Sequence, residues 1–113
     1  MIKIYHNPRC RKSREALQLL EEKNLDFEVE LYLDEPLSET KLAELIKKLN
    51  IPAIDLILQE ESIWKSEFKD KNLSEKELIR LMIQEPRLMQ RPIVVIDNKA
   101  VIARPADSIN DLF

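Results

Sequence analysis

The chain has 113 residues, 44% hydrophobic and 35% charged, with a formal net charge of −3. That length fits one compact domain, its apolar content excludes a disordered chain, and its acidic balance excludes a surface built as a whole to grip nucleic acid. A chain with no glycine, one cysteine and one histidine also excludes glycine-rich phosphate loops, an internal disulfide and an ordinary zinc site.

Ile2-Lys3-Ile4-Tyr5 alternates and predicts a strand, with no secretory pattern at the N-terminus. His6-Asn7-Pro8-Arg9 is turn material, because Pro8 stops the strand and pushes Asn7 out of the α region. Cys10 to Lys23 has helical spacing, with Ala16, Leu17 and Leu20 on one face. Leu25 to Leu33 predicts a second strand, in which Phe27, Val29 and Leu31 point one way and Glu28 and Glu30 the other, ended by Asp34-Glu35-Pro36. Ser38 opens a helix with Leu42, Leu45, Ile46 and Leu49 on its apolar stripe, and a shorter helix follows Pro52. Ser74 and Glu77 form a capping box ahead of a helix that runs to about Gln84 and is closed by Pro86. Pro92 to Ile96 is a buried strand by its β-branched content, Asp97-Asn98 a two-residue hairpin turn, and Ala100 to Ile102 the return strand. Pro105 then opens a last helix, Ala106 to Leu112. Trp64, Met82 and Met89 are expected in packing, and Glu21-Glu22 and Glu60-Glu61 on solvated faces.

This order predicts an α/β fold of the thioredoxin-like type: a mixed four-stranded sheet in a single domain over residues 1–113, with a helical insertion at about 38–88. No apolar run reaches membrane-spanning length, so no membrane partner and a reducing, cytoplasmic location are expected.

Cys10 is the candidate reactive residue. A thiolate is the nucleophilic form of cysteine, and a helix N-terminus or nearby cations lower the thiol pKa. Cys10 falls where the turn meets the helix, among Arg9, Arg11, Lys12 and Arg14, a basic cluster in an acidic protein that also suits an anionic substrate. A dithiol oxidoreductase needs a second cysteine where Ser13 stands, and a low-molecular-weight phosphatase loop needs arginine where Ala16 stands. Ser13 either donates a hydrogen bond to the thiolate or caps the first turn. His6 either polarises the Cys10 loop or stabilises the turn.

The segment Ile4-Tyr5-His6-Asn7-Pro8-Arg9-Cys10-Arg11-Lys12-Ser13-Arg14 resembles the active-site segment of the glutaredoxin-coupled arsenate reductase (ArsC) family, in particular its short bacterial branch. Arg91-Pro92-Ile93-Val94-Val95 and Ala103-Arg104-Pro105 resemble its two downstream motifs, so that the likeness spans nearly the whole chain. The resemblance implies that Cys10 attacks arsenate, that glutathione serves as co-substrate with no bound cofactor, and that glutaredoxin resolves the mixed disulfide. It implies oxyanion binding by Arg91 and Arg104; Arg9, beside the cysteine, is expected to compensate in part for a third cation, and His6, Ser13 and Arg14 to support the site. The family's remaining arginine position falls on Leu58, next to Gln59. A lost charged hydrogen bond of that kind costs about 1.5–3 kcal/mol, roughly tenfold to more than a hundredfold in affinity. Arg91 has a structural reading as well, because thioredoxin-like folds place a cis-proline facing the active cysteine where Pro92 stands. A regulator of the Spx type, which shares the fold and binds RNA polymerase, is the alternative, although Ser13 replaces the second cysteine of its redox switch.

Overall fold

The computed structural model describes residues 2–35 and 37–113. The chain forms two compact units: one runs up to Glu35 and resumes over Arg91–Phe113, and the other is the segment between them, ending at Gln90. The insertion expected at about 38–88 lies within the second.

The first unit holds strands β1 (Ile2–Tyr5), β2 (Phe27–Glu30), β3 (Ile93–Ile96) and β4 (Lys99–Ile102) and helix α1 (Arg11–Glu22). The sheet order is β2-β1-β3-β4. β1 and β2 run parallel, joined by α1 as the crossover, while the β1–β3 and β3–β4 pairs are antiparallel. Ile2, Ile4, Ala16, Leu20, Val94, Ala103 and Ile109 form its buried core. Alternation sends Ile2, Ile4 and Val94 to one face of the sheet, and the i, i+4 spacing of Ala16 and Leu20 turns one stripe of α1 onto it.

β2 is shorter than its sequence pattern. Val29 and Leu31, expected to point inward with Phe27, are 43% and 39% exposed. β2 is an edge strand whose sheet partner is the four-residue β1, so the ladder stops at Glu30 and the chain turns, with the Asp34 and Glu35 N–H groups donating to the Leu31 carbonyl. Pro36, expected to end this strand, lies outside the described residues.

The β3–β4 turn is the expected two-residue hairpin, with Ile96 paired to Lys99. Asp97 takes φ 54°, and Asn24 and Asn50 take the same left-handed region after α1 and after the next helix. A chain without glycine must place such turns on Asn and Asp, whose short polar side chains tolerate positive φ best. The last segment, Ala106–Leu112, is a run of 3-10 turns where an α-helix is expected. Asp107, Ser108, Asn110 and Asp111 compete for the backbone with their own side chains, which weakens an α-helix.

In the second unit, α2 (Glu39–Leu49) starts at Ser38, whose hydroxyl accepts the Lys41 N–H, and buries Leu42, Leu45 and Ile46. α3 (Glu75–Gln84) starts at the expected capping box: the Ser74 hydroxyl accepts from Glu77 N–H and the Glu77 carboxylate from Ser74 N–H. Replacing Ser74 with alanine is expected to destabilise this unit by about 1 kcal/mol, read as a lower urea midpoint at unchanged slope. After Pro52 the chain makes one 3-10 turn, Ala53–Leu56, rather than a helix reaching Leu58. Ile57 is drawn into a bridge with Met89, and Leu58 N–H bonds the Leu88 carbonyl at 2.7 Å. Trp64–Phe68 forms a π-helical turn, and Trp64, Met82 and Met89 are buried as expected. Among the described residues no helix is long and apolar enough to cross a membrane.

Candidate active site

The register of the first unit's sheet brings four chain segments to one end. Tyr5 pairs with Glu30 and with Ile93, and Ile93 with Ile102. Beyond that row lie His6 to Cys10 after β1, Leu31-Tyr32 after β2, Arg91-Pro92 before β3, and Ala103-Arg104 after β4. His6 N–H donates to the Glu30 carbonyl at 2.9 Å and Ala103 N–H to the Pro92 carbonyl at 2.9 Å, tying these segments in pairs.

The loop between β1 and α1 is fixed by its own polar groups. The Asn7 side-chain oxygen accepts the Arg9 N–H at 3.1 Å, and the Asn7 carbonyl accepts the Cys10 N–H at 2.9 Å. Ser13 is fully buried, and its hydroxyl accepts the Asn7 N–H at 3.3 Å. Arg14 donates to the Pro8 carbonyl at 3.0 Å. Asn, Pro and Ser therefore fold this turn locally, which is why its shape is readable from the sequence.

Cys10 is the N-cap of α1, with extended backbone (φ −93°, ψ 123°), so the helix proper begins at Arg11. Its thiol is partly exposed. Burial pushes the thiol pKa up, but the backbone N–H groups of Ser13 and Lys12 and the Arg91 guanidinium together outweigh it and hold the pKa below the ordinary value. The first turn of α1 carries no acidic residue to oppose this.

The stabilising cation differs from the sequence expectation. Arg11 pairs with Glu15 at 3.2 Å and is 84% exposed, Arg14 is turned to Pro8, and the Arg9 side chain is exposed. Arg91, distant in sequence, is the cation that acts on the sulfur. Its bond to Pro92 is cis, and so is Arg104–Pro105. Arg104 is exposed and reaches the Arg91 carbonyl at 3.5 Å, the outer limit of a hydrogen bond.

His6 is buried, and burial holds its pKa down, a hydrogen bond with the Ser13 backbone opposes this, and the Arg14 charge adds to it. The ring is thus a neutral part of the loop's packing. Ser13 acts on the sulfur through its backbone N–H, while its hydroxyl holds Asn7. Leu58 and Gln59 lie in the second unit, where Gln59 donates to the Ile54 carbonyl at 3.5 Å.

Sequence reasoning missed Tyr32. It is 1% exposed, and its hydroxyl is buried without a hydrogen-bond partner of good geometry. Burial pushes its pKa up to about 12, Arg91 opposes the rise and Cys10 adds to it. The period-2 pattern puts Leu31 on the side of Phe27 and Val29 and gives no reason to bury its neighbour; in the fold Leu31 is exposed and Tyr32 is the buried residue.

A mixed sheet with a lone thiol at the N-terminus of its crossover helix defines a thioredoxin-like protein with a monothiol site. Residues 5–112 match the model of the ArsC family, and the chain belongs to that family. It is 45% identical over 113 residues to YfgD, an uncharacterized protein of Escherichia coli strain K12, covering 98% of this chain and 95% of that one. It is 40% identical to the arsenate reductase of Neisseria meningitidis serogroup A, covering 96% and 94% of the two chains. Among solved structures, the arsenate reductase from Vibrio cholerae superposes with a TM-score of 0.94 at 33% identity, over 99% of this chain and 97% of that one.

Proposed function

We propose that the protein is a thiol oxidoreductase of the ArsC type, which reduces arsenate or a closely related oxyanion through the Cys10 thiolate with glutathione and glutaredoxin as the other thiols. The observation that carries this reading is the Cys10 sulfur, faced by two helix-terminal N–H groups and by Arg91. The same groups that favour a thiolate favour a bound oxyanion. Arg91 is the chief anchor in this reading, and Arg104 and Arg9 add positive charge at the mouth.

The sulfur attacks arsenic, and one arsenic-bound oxygen leaves as water once protonated. A glutathione thiol supplies the second sulfur. As the two sulfurs join in a mixed disulfide they release two electrons, arsenic(V) becomes arsenic(III), and arsenite departs. A glutaredoxin thiolate then attacks the glutathione sulfur, takes up the glutathionyl group in a mixed disulfide of its own, and expels Cys10 as its thiolate. With Ser13 in place of a resolving cysteine, both further thiols must come from outside, which favours a reducing cytoplasmic setting.

Incubation with arsenate, glutathione and glutaredoxin is expected to yield arsenite, and omission of either thiol source is expected to stop turnover. Absence of arsenite above the protein-free level with both thiols present overturns the reading. Arsenite formed at full rate without glutaredoxin overturns the assigned electron route.

A further inference from the structure

We propose that the Tyr32 hydroxyl is a hydrogen-bond donor to the oxyanion bound beside Cys10 and Arg91, and so a determinant of which anion the site accepts. The inference rests on the proposed oxyanion site and adds a residue to it.

Tyr32 stands two residues beyond Glu30, at the sheet end where the Cys10 loop and Arg91-Pro92 also emerge. At 1% exposure the side chain is held in the interior, its hydroxyl is buried without a hydrogen-bond partner of good geometry, and Arg91 and Cys10 are near enough to act on it. A phenol in such a place ordinarily has a partner, because an unmatched buried hydroxyl is costly.

The neighbours restrict what that partner is. Arg91 lies against the phenol, and a guanidinium has donors only, so it meets the oxygen lone pairs and leaves the O–H proton to be given elsewhere. Cys10 is near enough for its charge to act on the phenol. The thiolate itself is stabilised by Ser13, Lys12 and Arg91, with no hydrogen bond from Tyr32 among these influences. The proton is therefore aimed beside the sulfur rather than at it, where an acceptor oxygen of a molecule in contact with both Cys10 and Arg91 would lie.

The chemical class follows. The phenol keeps its proton up to about pH 12, and with its lone pairs turned to the Arg91 guanidinium the O–H is what it has left to give, for which an anionic oxygen is the strongest acceptor. Tyr32 then supplies a neutral contact that does not change with pH across the working range, in contrast to the thiolate.

Tyr32→Phe removes the oxygen and retains the ring. The protection of Cys10 from iodoacetamide by inorganic arsenate measures anion binding without turnover. The half-protecting concentration is expected to rise about tenfold in the variant, and KM with it, while kcat changes less and the pH midpoint of Cys10 alkylation does not rise. Protection and KM both within twofold of the unmodified protein overturn the inference, and a raised alkylation midpoint assigns Tyr32 to the sulfur instead. Should Tyr32→Phe not fold, tyrosine labelled at the carbon bearing the hydroxyl reports on the unmodified protein, with Tyr5 as internal control. The Tyr32 resonance is expected to move with inorganic phosphate over the range in which phosphate protects Cys10, and a stationary resonance overturns the inference. Failure of any anion to protect Cys10 in the unmodified protein removes the oxyanion site and this inference together, whereas protection kept in Tyr32→Phe removes the inference alone.

Discussion

A Cys10→Ser protein is expected to form no arsenite above the protein-free level, at thiol concentrations that sustain the unmodified chain. Serine matches cysteine closely in shape, so the turn and α1 are retained, but a hydroxyl is neither ionised near neutrality nor able to form the mixed disulfide. Activity that survives this change would place the chemistry elsewhere. The pH dependence carries the same argument further. Burial raises the Cys10 thiol pKa, and the N–H groups of Ser13 and Lys12 with Arg91 lower it by more. Alkylation of the folded protein is expected to persist at pH values where it has ceased in urea. Below the folded pKa both folded and unfolded states hold the proton. Between the two pKa values the unfolded chain binds more protons than the fold, so stability rises with pH there. The contribution is full above the unfolded thiol pKa and is lost as pH falls through the folded one. The stability difference between the unmodified protein and Cys10→Ser is therefore expected to grow with pH across that window and to be flat on either side. Parallel urea-midpoint curves would mean that the fold does not favour the thiolate.

What was legible in the sequence was largely local. The capping box at Ser74, the hairpin at Asp97-Asn98 and the Asn-Pro turn before Cys10 depend on residues within a few positions of one another, and each lies where its chemistry predicts. Helix type and strand length are less local. The 3-10 turns at Ala106–Leu112 and the brevity of β2 depend on what each segment packs against and pairs with, and propensity summed along the chain does not contain that. The same division runs through the site. The place of Cys10 at a helix start follows from Pro8 and the helical spacing after it. The sequence around Cys10 points to the flanking Arg9, Arg11, Lys12 and Arg14 for the cation acting on its sulfur, yet it is Arg91, brought in by the antiparallel pairing of β1 with β3. Tyr32 was hidden for a related reason. Its burial comes after the β2 ladder ends at Glu30, where the chain turns and the alternation of the strand no longer applies.

Replacing Arg91 with leucine is expected to damage the site twice. The guanidinium is both a charge and a hydrogen-bond donor to the Cys10 sulfur, so its loss moves the thiol pKa upward and shifts the alkylation profile to higher pH. In the proposed site it also removes a charged contact to the oxyanion, expected to weaken arsenate protection of Cys10 by about tenfold to more than a hundredfold. Arg91→Lys separates the two effects. An ammonium restores charge but not the planar fork, so thiol reactivity is expected to recover further than anion affinity. Arg104 provides the contrast. It is exposed, meets Arg91 only at the carbonyl oxygen, and is not among the groups acting on the sulfur. Arg104→Ala is therefore expected to weaken arsenate protection while leaving the alkylation midpoint in place. Equal shifts of that midpoint in the Arg91 and Arg104 variants would mean that the sulfur responds to diffuse positive charge at the sheet end. A shift confined to Arg91 assigns the effect to one directed guanidinium. Tyr32 does not substitute for it: Arg91 holds the phenol pKa down, so its removal leaves Tyr32 more firmly protonated, a neutral donor beside a weakened thiolate.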